Sequence, residues 1–175
     1  MMEIELKKWS FEDEEALIKL CNAIDRSYLS DRLPNPYTKS AAQWWLNMIQ
    51  ENENKNENGV FRKIVAQGKI VGTISVEKKD DVNRKDAEIG YYVLPEEYGK
   101  GIMSEAVKKI CELAFQELDI IRITGSVFEP NIASRRVLEK NGFLLEGVLK
   151  SAVFKNDTIY DLCLYGKVKE DKKTG

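Results

Sequence analysis

The 175-residue sequence predicts one α/β domain, a mixed β-sheet with helices packed on both of its faces. Its apolar residues recur at strand or helix spacing in the order β-α-α-β-β-β-α-β-α-β-β. A strand-like segment at 87–94 enters a long helix through a glycine-containing turn, and another strand-like segment follows that helix. Because such a crossover joins parallel strands, the centre of the sheet is predicted to be a βαβ unit. A hydrophobic content of 43% is sufficient for one core.

The N-terminal third predicts one strand and two helices. Residues 3–9 alternate between apolar and polar side chains as a short strand would, and residues 10–28 carry apolar side chains at helical spacing after a serine that can cap the helix. Residues 33–36, with two prolines, predict an extended loop. A second helix is predicted to begin near Ser40, and the run of Glu, Asn and Lys at 51–59 predicts a surface turn.

The rest of the chain supplies most of the sheet. Residues 61–67 and 70–77 predict a hairpin that turns at Gly68-Lys69. The later elements are predicted as a strand at 87–94, a helix ending near Leu118, a strand at 121–128, a short helix within 131–141, and a hairpin of strands at 143–154 and 158–166. The buried stripe of the long helix is predicted to comprise Met103, Val107, Ile110, Ala114 and Leu118. Residues 170–175 are expected to be a frayed polar tail of the single domain 1–175.

The turn Gly99-Lys100-Gly101 is the most informative segment, since it lies between a strand and a helix. Its glycines allow close approach of the backbone to a ligand, and the free N–H groups of the helix start favour a phosphate. A Walker A loop is excluded because it ends in Gly-Lys-Ser/Thr, whereas Gly99-Lys100 is followed by Gly101 and Ile102. The dinucleotide-binding frame fits only in part, because Ser104 stands at the position of its third glycine. The turn therefore predicts a phosphorylated cofactor, with a simple tight turn as the alternative.

A second motif lies downstream, where Glu129 to Phe143 predicts a strand end, an asparagine cap, a short helix and a glycine stop. With these paired motifs the chain resembles the GNAT family of acetyl-CoA-dependent N-acetyltransferases, and within it the Rim-type enzymes that acetylate ribosomal-protein N-termini. The resemblance is dense from Glu88 to Gly147, and Asp31 to Thr38 also resembles that subgroup. It implies the GNAT fold, with the same element order and with central parallel strands that splay near Val93 and Phe128 to open a cofactor cleft.

The resemblance also implies which residues bind acetyl-CoA. The phosphate-binding segment comprises Tyr98, Gly99, Lys100, Gly101, Ile102, Met103 and Ser104, acting through backbone N–H groups. Gly101 matches the family pattern, whereas Tyr98 and Met103 depart from it, and Met103 could narrow the turn. Tyr91, Tyr92 and Val93 match the strand that runs beside pantetheine, and sheet packing is the alternative for one of the tyrosines. The N–H near Val93 could stabilise an oxyanion. Asn131 matches the pantetheine-binding asparagine, with a helix cap as the alternative role.

Two residues are candidates for catalysis. Glu88 is the candidate base, acting directly or through water, and partial burial is expected to raise its pKa; an ion-paired strand glutamate is the alternative. Ser134 is the candidate acid, because the resemblance implies either a serine there or a tyrosine at the position of Leu138. An ordinary helix serine is the alternative. Ser126 stands where one subgroup carries its base, and Glu146 could instead hold the substrate amine.

Composition excludes several other classes. The chain has no histidine, which excludes Ser–His and Cys–His hydrolases and histidine metal sites. Its net charge of −2 gives no basic surplus for nucleic acid. The three cysteines are far apart, which predicts buried thiols rather than a zinc site or disulfides. No signal peptide or membrane span is visible. The expectation is a cytoplasmic protein that needs no metal, nucleic acid or membrane.

The resemblance implies the overall activity. An amine would attack acetyl-CoA directly in a ternary complex, and a protein N-terminal amine is the expected acceptor. A small amine such as a polyamine, an antibiotic or an amino acid is the alternative. A non-catalytic acyl-CoA-binding module is the alternative from another class. The adjacent Trp44 and Trp45 leave open a partner surface, including a homodimer.

Overall fold

The predicted order of strands and helices is confirmed by the computed structural model, which describes residues 3–55 and 58–170. The strands are β1 (Ile4–Lys7), β2 (Gly59–Ala66), β3 (Lys69–Lys78), β4 (Asp86–Val93), β5 (Arg122–Phe128), β6 (Leu144–Lys155) and β7 (Thr158–Val168), and the helices are α1 (Glu14–Ala23), α2 (Lys39–Lys55), α3 (Ile102–Glu117) and α4 (Ile132–Lys140). The strands form a seven-stranded sheet in the order β1-β2-β3-β4-β5-β7-β6. Strands β4 and β5 are parallel, and the other neighbours are antiparallel.

Helices cover both faces of the sheet, as the pattern predicts. Helices α3 and α4 pack on one face and form the larger core with the sheet, and α1 and α2 build a second core on the other face. The predicted stripe of α3 is buried at Val107, Ile110 and Ala114, and Met103 packs partly buried against the same core. The helices therefore cover the central strands on both faces of the sheet.

Two predicted boundaries in the N-terminal third are wrong. Helix α1 ends at Ala23 rather than near residue 28, because the backbone of Ile24 is extended (φ −72°, ψ 155°) and the guanidinium of Arg26 takes the carbonyl of Cys21. The predicted turn at 51–59 is helical as far as Lys55, since Glu and Lys have high helix propensity. Residues 56 and 57 of that turn lie outside the described part of the chain.

The central parallel strands pair over a short distance only. Strand β4 pairs with β5 from Asp86 to Glu88, and beyond Glu88 and Thr124 the two strands separate, as expected. The closed end is fixed by the carboxylate of Asp86, which accepts hydrogen bonds from Thr124 Oγ1 at 2.8 Å and from Lys79 Nζ at 2.8 Å. Helix α4 begins four residues after β5, so its N-terminus lies at the open end of the resulting cleft.

The ends and cysteines add little to the site. All three cysteines are buried and free. The predicted polar tail, residues 170–175, lies outside the described residues except for Glu170. Among the helices that the structure describes, none is long and apolar enough to cross a bilayer.

Candidate active site

The glycine turn has the backbone geometry of a ligand-binding loop. Gly99 and Gly101 have φ of +77° and +79°, in the left-handed region that side chains disfavour. Among the described residues, apart from the chain neighbours, no atom lies within 4 Å of a β-carbon added at either glycine. Lys100 pairs with Glu97 at 3.0 Å on the exposed side. Gly101 caps α3 without a side chain, which leaves the first N–H groups of the helix open to an anion.

The side chains around the turn point away from it or frame it. Ile102 is buried, and Met103 lies inside the first turn of α3 with its side chain against the core, so the expected narrowing of the turn by Met103 is wrong. Ser104 accepts hydrogen bonds from Asn141 Nδ2 at its carbonyl (3.1 Å) and its hydroxyl (3.4 Å), which ties α3 to the end of α4. Tyr98 is exposed beside the turn.

Strand β4 directs free backbone N–H groups into the cleft. The N–H of Leu94 donates to the carbonyl of Val71 at 2.9 Å, toward β3. Because N–H directions alternate along an antiparallel strand, the N–H groups of Val93 and Tyr91 point away from β3, toward the side where β5 has separated. These groups are available to a ligand in the cleft.

The two tyrosines of β4 diverge to opposite faces of the sheet. The Tyr92 hydroxyl lies 3.3 Å from Cys21 Sγ on the α1 side, where burial raises its pKa well above the ordinary value. Tyr91 lies on the α3–α4 side, and its hydroxyl is 2.7 Å from Ser134 Oγ. Sheet packing, the alternative stated for one of the two, therefore describes the Tyr92 side chain.

The start of α4 places two candidate residues together. Asn131 Oδ1 accepts the N–H of Ser134 at 3.4 Å, so the expected cap is present. The amide nitrogen of Asn131 makes no hydrogen bond to the part of the chain that is described, and it is free to serve a ligand. Leu138, one turn further, is fully buried and packs beneath Gly125, so that position has a core side chain and no proton donor.

Glu88 differs from its expected environment. Its side chain is exposed, so the expected partial burial is wrong, and within the described residues it forms no ion pair either. Glu77 stands directly opposite on β3. Partial desolvation and the charge of Glu88 raise the pKa of Glu77, even though much of that side chain reaches solvent. Sequence reasoning missed Glu77, although the register of the β3–β4 pair would have revealed it.

Glu146 is committed to another partner. It lies on β6 at a bulge, and its carboxylate accepts hydrogen bonds from both terminal nitrogens of Arg122 on β5. This pairing lowers the pKa of Glu146. The suggestion that Glu146 holds a substrate amine is therefore not supported, because the guanidinium already occupies the carboxylate.

A polar pocket of about 510 Å³ lies between the loop after α1 and the β6–β7 turn. Its lining is formed by Asp25, Arg26, Ser27, Ser30, Asp31, Leu33, Asn35, Lys155 and Asn156. Arg26 fixes the loop by donating to the carbonyls of Leu33 (2.8 Å) and Pro34 (2.8 Å). The buried amine of Lys155 pairs with Asp31 and joins the loop to the hairpin.

The loop that lines this pocket also neighbours the cleft. Partial burial and the negative charge of Asp25 raise the pKa of Tyr98, beside the glycine turn. The ring of Tyr28 packs against Phe128 (5.7 Å between centroids) and Tyr160 (6.2 Å). Phe128 ends β5, and its carbonyl accepts the N–H of Asn131 at 2.9 Å. The loop that lines the pocket therefore contacts, through Tyr28, the end of β5 where the cleft opens.

A metal centre is not apparent at this site. Within residues 3–55 and 58–170, no group of three or more cysteine, aspartate or glutamate side chains is placed to hold a metal ion.

Comparison with known proteins agrees with this geometry. Residues 3–144 match the family of the acetyltransferase (GNAT) domain. The chain belongs to the GNAT family. Among curated relatives it is 38% identical over 114 residues to the putative ribosomal N-acetyltransferase YdaF of Bacillus subtilis (strain 168), covering 65% of this chain and 62% of YdaF. It is 29% identical over 146 residues to the ribosomal-protein-serine acetyltransferase of Escherichia coli (strain K12), covering 82% of this chain and 81% of that protein.

A solved structure shows the same fold. This GNAT chain superimposes with a TM-score of 0.83 on RimL, a ribosomal L7/L12 α-N-protein acetyltransferase in complex with coenzyme A. The match covers 95% of this chain and 94% of RimL at 23% sequence identity. The match to YdaF spans less than two thirds of the length of that relative. The fold and family are thus established.

Proposed function

We propose that this protein transfers the acetyl group of acetyl-CoA to a primary amine by direct attack in a ternary complex. The observation that carries the proposal is the cleft between β4 and β5, which has an open glycine turn at one side and free N–H groups along β4. Membership of the GNAT family supports acetyl-CoA as the cofactor.

Each part of acetyl-CoA has a suitable counterpart in the cleft. The pyrophosphate binds the N–H groups of the segment 99–104, where α3 begins without side-chain caps. Pantetheine runs along Tyr91 to Val93, with the free amide nitrogen of Asn131 as a hydrogen-bond donor on the opposite wall. The acetyl carbonyl then lies near the N–H of Val93.

The chemistry follows from groups that touch the thioester. The amine nitrogen bonds to the acetyl carbon, and the N–H of Val93 stabilises the oxyanion that forms. The carbon–sulfur bond breaks, its electron pair stays on sulfur, and the Ser134 hydroxyl gives that sulfur a proton. Orientation of the two substrates supplies much of the acceleration, up to the order of 7–11 kcal/mol.

The base is Glu88, acting through water. It lies on the sheet face that carries Tyr92 and looks toward α1, so its exposed carboxylate borders the acceptor side rather than the α4 side. Glu77 faces it across the β3–β4 pair. Two neighbouring carboxylates attract an ammonium group, and Glu88 takes, through water, the proton that this group must lose before attack.

The acceptor is a protein N-terminal amine. Two observations support this class: the pocket beside the cleft is polar and open, and a relative at 29% identity is named a ribosomal-protein-serine acetyltransferase. A volume of about 510 Å³ accepts the first residues of an extended peptide, while the rest of the peptide leaves through the open side.

A panel of acceptors tests the proposal. Thiol release from acetyl-CoA is measured with peptides beginning in Ser, Ala or Met, and with polyamines, amino acids and aminoglycosides. We expect turnover with a peptide class that is lost in the Glu88→Gln, Ser134→Ala double variant. Turnover with small amines alone would show that the acceptor is a small amine and not a protein N-terminus. Stabilisation by acetyl-CoA without thiol release from any amine would indicate an acyl-CoA-binding module.

A further inference from the structure

A hydrogen bond across the cleft joins Tyr91 and Ser134. The Tyr91 hydroxyl lies 2.7 Å from Ser134 Oγ and 3.4 Å from the Ser134 carbonyl oxygen. The first distance is typical of a hydrogen bond between two hydroxyls, and the second is at the limit of a hydrogen bond. The two residues are 43 positions apart, on β4 and on the first turn of α4. This contact therefore links the strand that lines the cofactor cleft to the helix that carries the candidate acid.

The direction of this bond decides what the Ser134 proton can do. A hydroxyl has one proton and two acceptor sites. If Ser134 donates to Tyr91, its proton is occupied, and the Tyr91 proton has only the carbonyl at 3.4 Å. If Tyr91 donates to Ser134 Oγ, the 2.7 Å bond is kept and the Ser134 proton is free to point into the cleft.

The surroundings of Tyr91 keep its hydroxyl protonated, so that it has a proton to donate. Burial raises the pKa of Tyr91 to about 12, and the hydrogen bond with Ser134 offsets only part of this effect. The phenol therefore stays protonated across the neutral pH range. Leu138, one helical turn after Ser134, is buried and has no hydroxyl, and the hydroxyl that lies beside Ser134 comes from β4.

We propose that Tyr91 is a positioning residue for acetyl transfer, whose hydroxyl donates to Ser134 Oγ and directs the Ser134 proton to the sulfur of the leaving coenzyme A. The inference rests on the proposed function, in which Ser134 is the acid. Tyr91 keeps its own proton, and its hydrogen bond stabilises the negative charge that develops on Ser134 Oγ. Ser134 regains a proton from water. The substrate ammonium loses two protons during the reaction, and the leaving thiol gains one. The net result is the release of one proton to solvent.

Steady-state kinetics of four proteins test this role: wild type, Tyr91→Phe, Ser134→Ala and the double variant. We expect Tyr91→Phe to lower kcat about tenfold and to leave the KM for acetyl-CoA within about twofold, because the ring still lines the cleft. In the Ser134→Ala background the same change should cost nothing further, since Tyr91 acts through Ser134. In a Ser134→Thr background, which keeps the hydroxyl, the tenfold loss should return.

Tyr165→Phe is the matched control. Its hydroxyl accepts from Arg135 Nε at 3.0 Å and donates to Glu139 Oε1 at 2.8 Å, so it also bonds α4 but at residues other than Ser134. Two results would overturn the positioning role of Tyr91 and leave Ser134 as the acid. One is a kcat for Tyr91→Phe equal to that of Tyr165→Phe. The other is a loss of kcat in the double variant equal to the product of the losses in Tyr91→Phe and Ser134→Ala. A full kcat for Ser134→Ala would overturn the assigned acid, and a wild type without turnover would overturn the proposed function, each with the inference that rests on it.

Discussion

Glu77 and Glu88 face each other across the β3–β4 pair, next to the cleft, although like charges in this position repel. The folded state binds a proton at Glu77 more readily than the unfolded chain does, because desolvation and the charge of Glu88 raise the pKa of Glu77. The repulsion therefore lowers the free energy of unfolding as pH rises above 4.5, the pKa of Glu77 in the unfolded chain. This loss of stability disappears as pH falls back to that value.

Removing either charge should stabilise the protein at neutral pH. Glu77→Gln and Glu88→Gln are each expected to raise the Tm by about 1–3 °C at pH 7.5, and the double variant should gain little more. The gain should shrink as pH is lowered toward 4.5. Thermal denaturation from pH 4.5 to 8 measures it; a gain that does not depend on pH would show that repulsion is not the cause.

Substitution of Gly101 in the glycine turn is expected to weaken cofactor binding selectively. Gly101→Ala forces a side chain into the left-handed region and adds a methyl group at the phosphate-binding surface, so we expect both a lower Tm and a smaller stabilisation by coenzyme A. Gly68→Ala is the control, because Gly68 has φ +75° and open space in the β2–β3 turn. Both variants should lose about 1–2 kcal/mol of stability from backbone strain.

Only Gly101→Ala should lose the coenzyme A shift, as measured by thermal denaturation at increasing ligand concentration. An equal shift of Tm by coenzyme A in the two variants would show that the glycine turn does not bind the cofactor. The same titration with ATP and NAD should give little shift, since the turn lacks the frames of nucleotide-binding loops.

The two roles of Asn131 can be separated. Asn131→Ser keeps an oxygen that caps α4 and loses the amide donor, whereas Asn131→Ala loses both. We expect Asn131→Ser to keep the wild-type Tm and to raise the KM for acetyl-CoA. Asn131→Ala should raise that KM equally and lose about 1 kcal/mol of stability. A normal KM in Asn131→Ser, measured by thiol release, would limit the residue to capping.

The loop after α1 should control the acceptor without affecting the cofactor. Arg26→Lys keeps the charge but cannot hold the carbonyls of Cys21, Leu33 and Pro34 together. We expect the KM for the peptide acceptor to rise severalfold while the KM for acetyl-CoA stays unchanged. Arg32→Lys, an exposed change in the same loop, is the control. A matching rise in both KM values would mean that the loop supports the whole fold.

The sequence predicts the architecture well because periodicity reports local structure and the glycine turn marks a strand-to-helix junction. It does not predict contacts between distant segments. The bond between Tyr91 and Ser134, the opposition of Glu77 and Glu88, and the pairing of Glu146 with Arg122 depend on strand register and helix docking. The end of α1 was missed for the same reason, since a guanidinium five residues beyond Cys21 takes a carbonyl of its last turn.

The stoichiometry of acetyl transfer tests the central claim most directly. Wild-type protein is incubated with acetyl-CoA and the best peptide acceptor, and free thiol is measured beside the acetylated peptide by mass spectrometry. We expect one acetylated N-terminus for each thiol released, and loss of both products in the Glu88→Gln, Ser134→Ala double variant. Thiol release without acetylated peptide, or equal amounts of product in the double variant, would show that the protein does not transfer acetyl groups to the peptide in the proposed way.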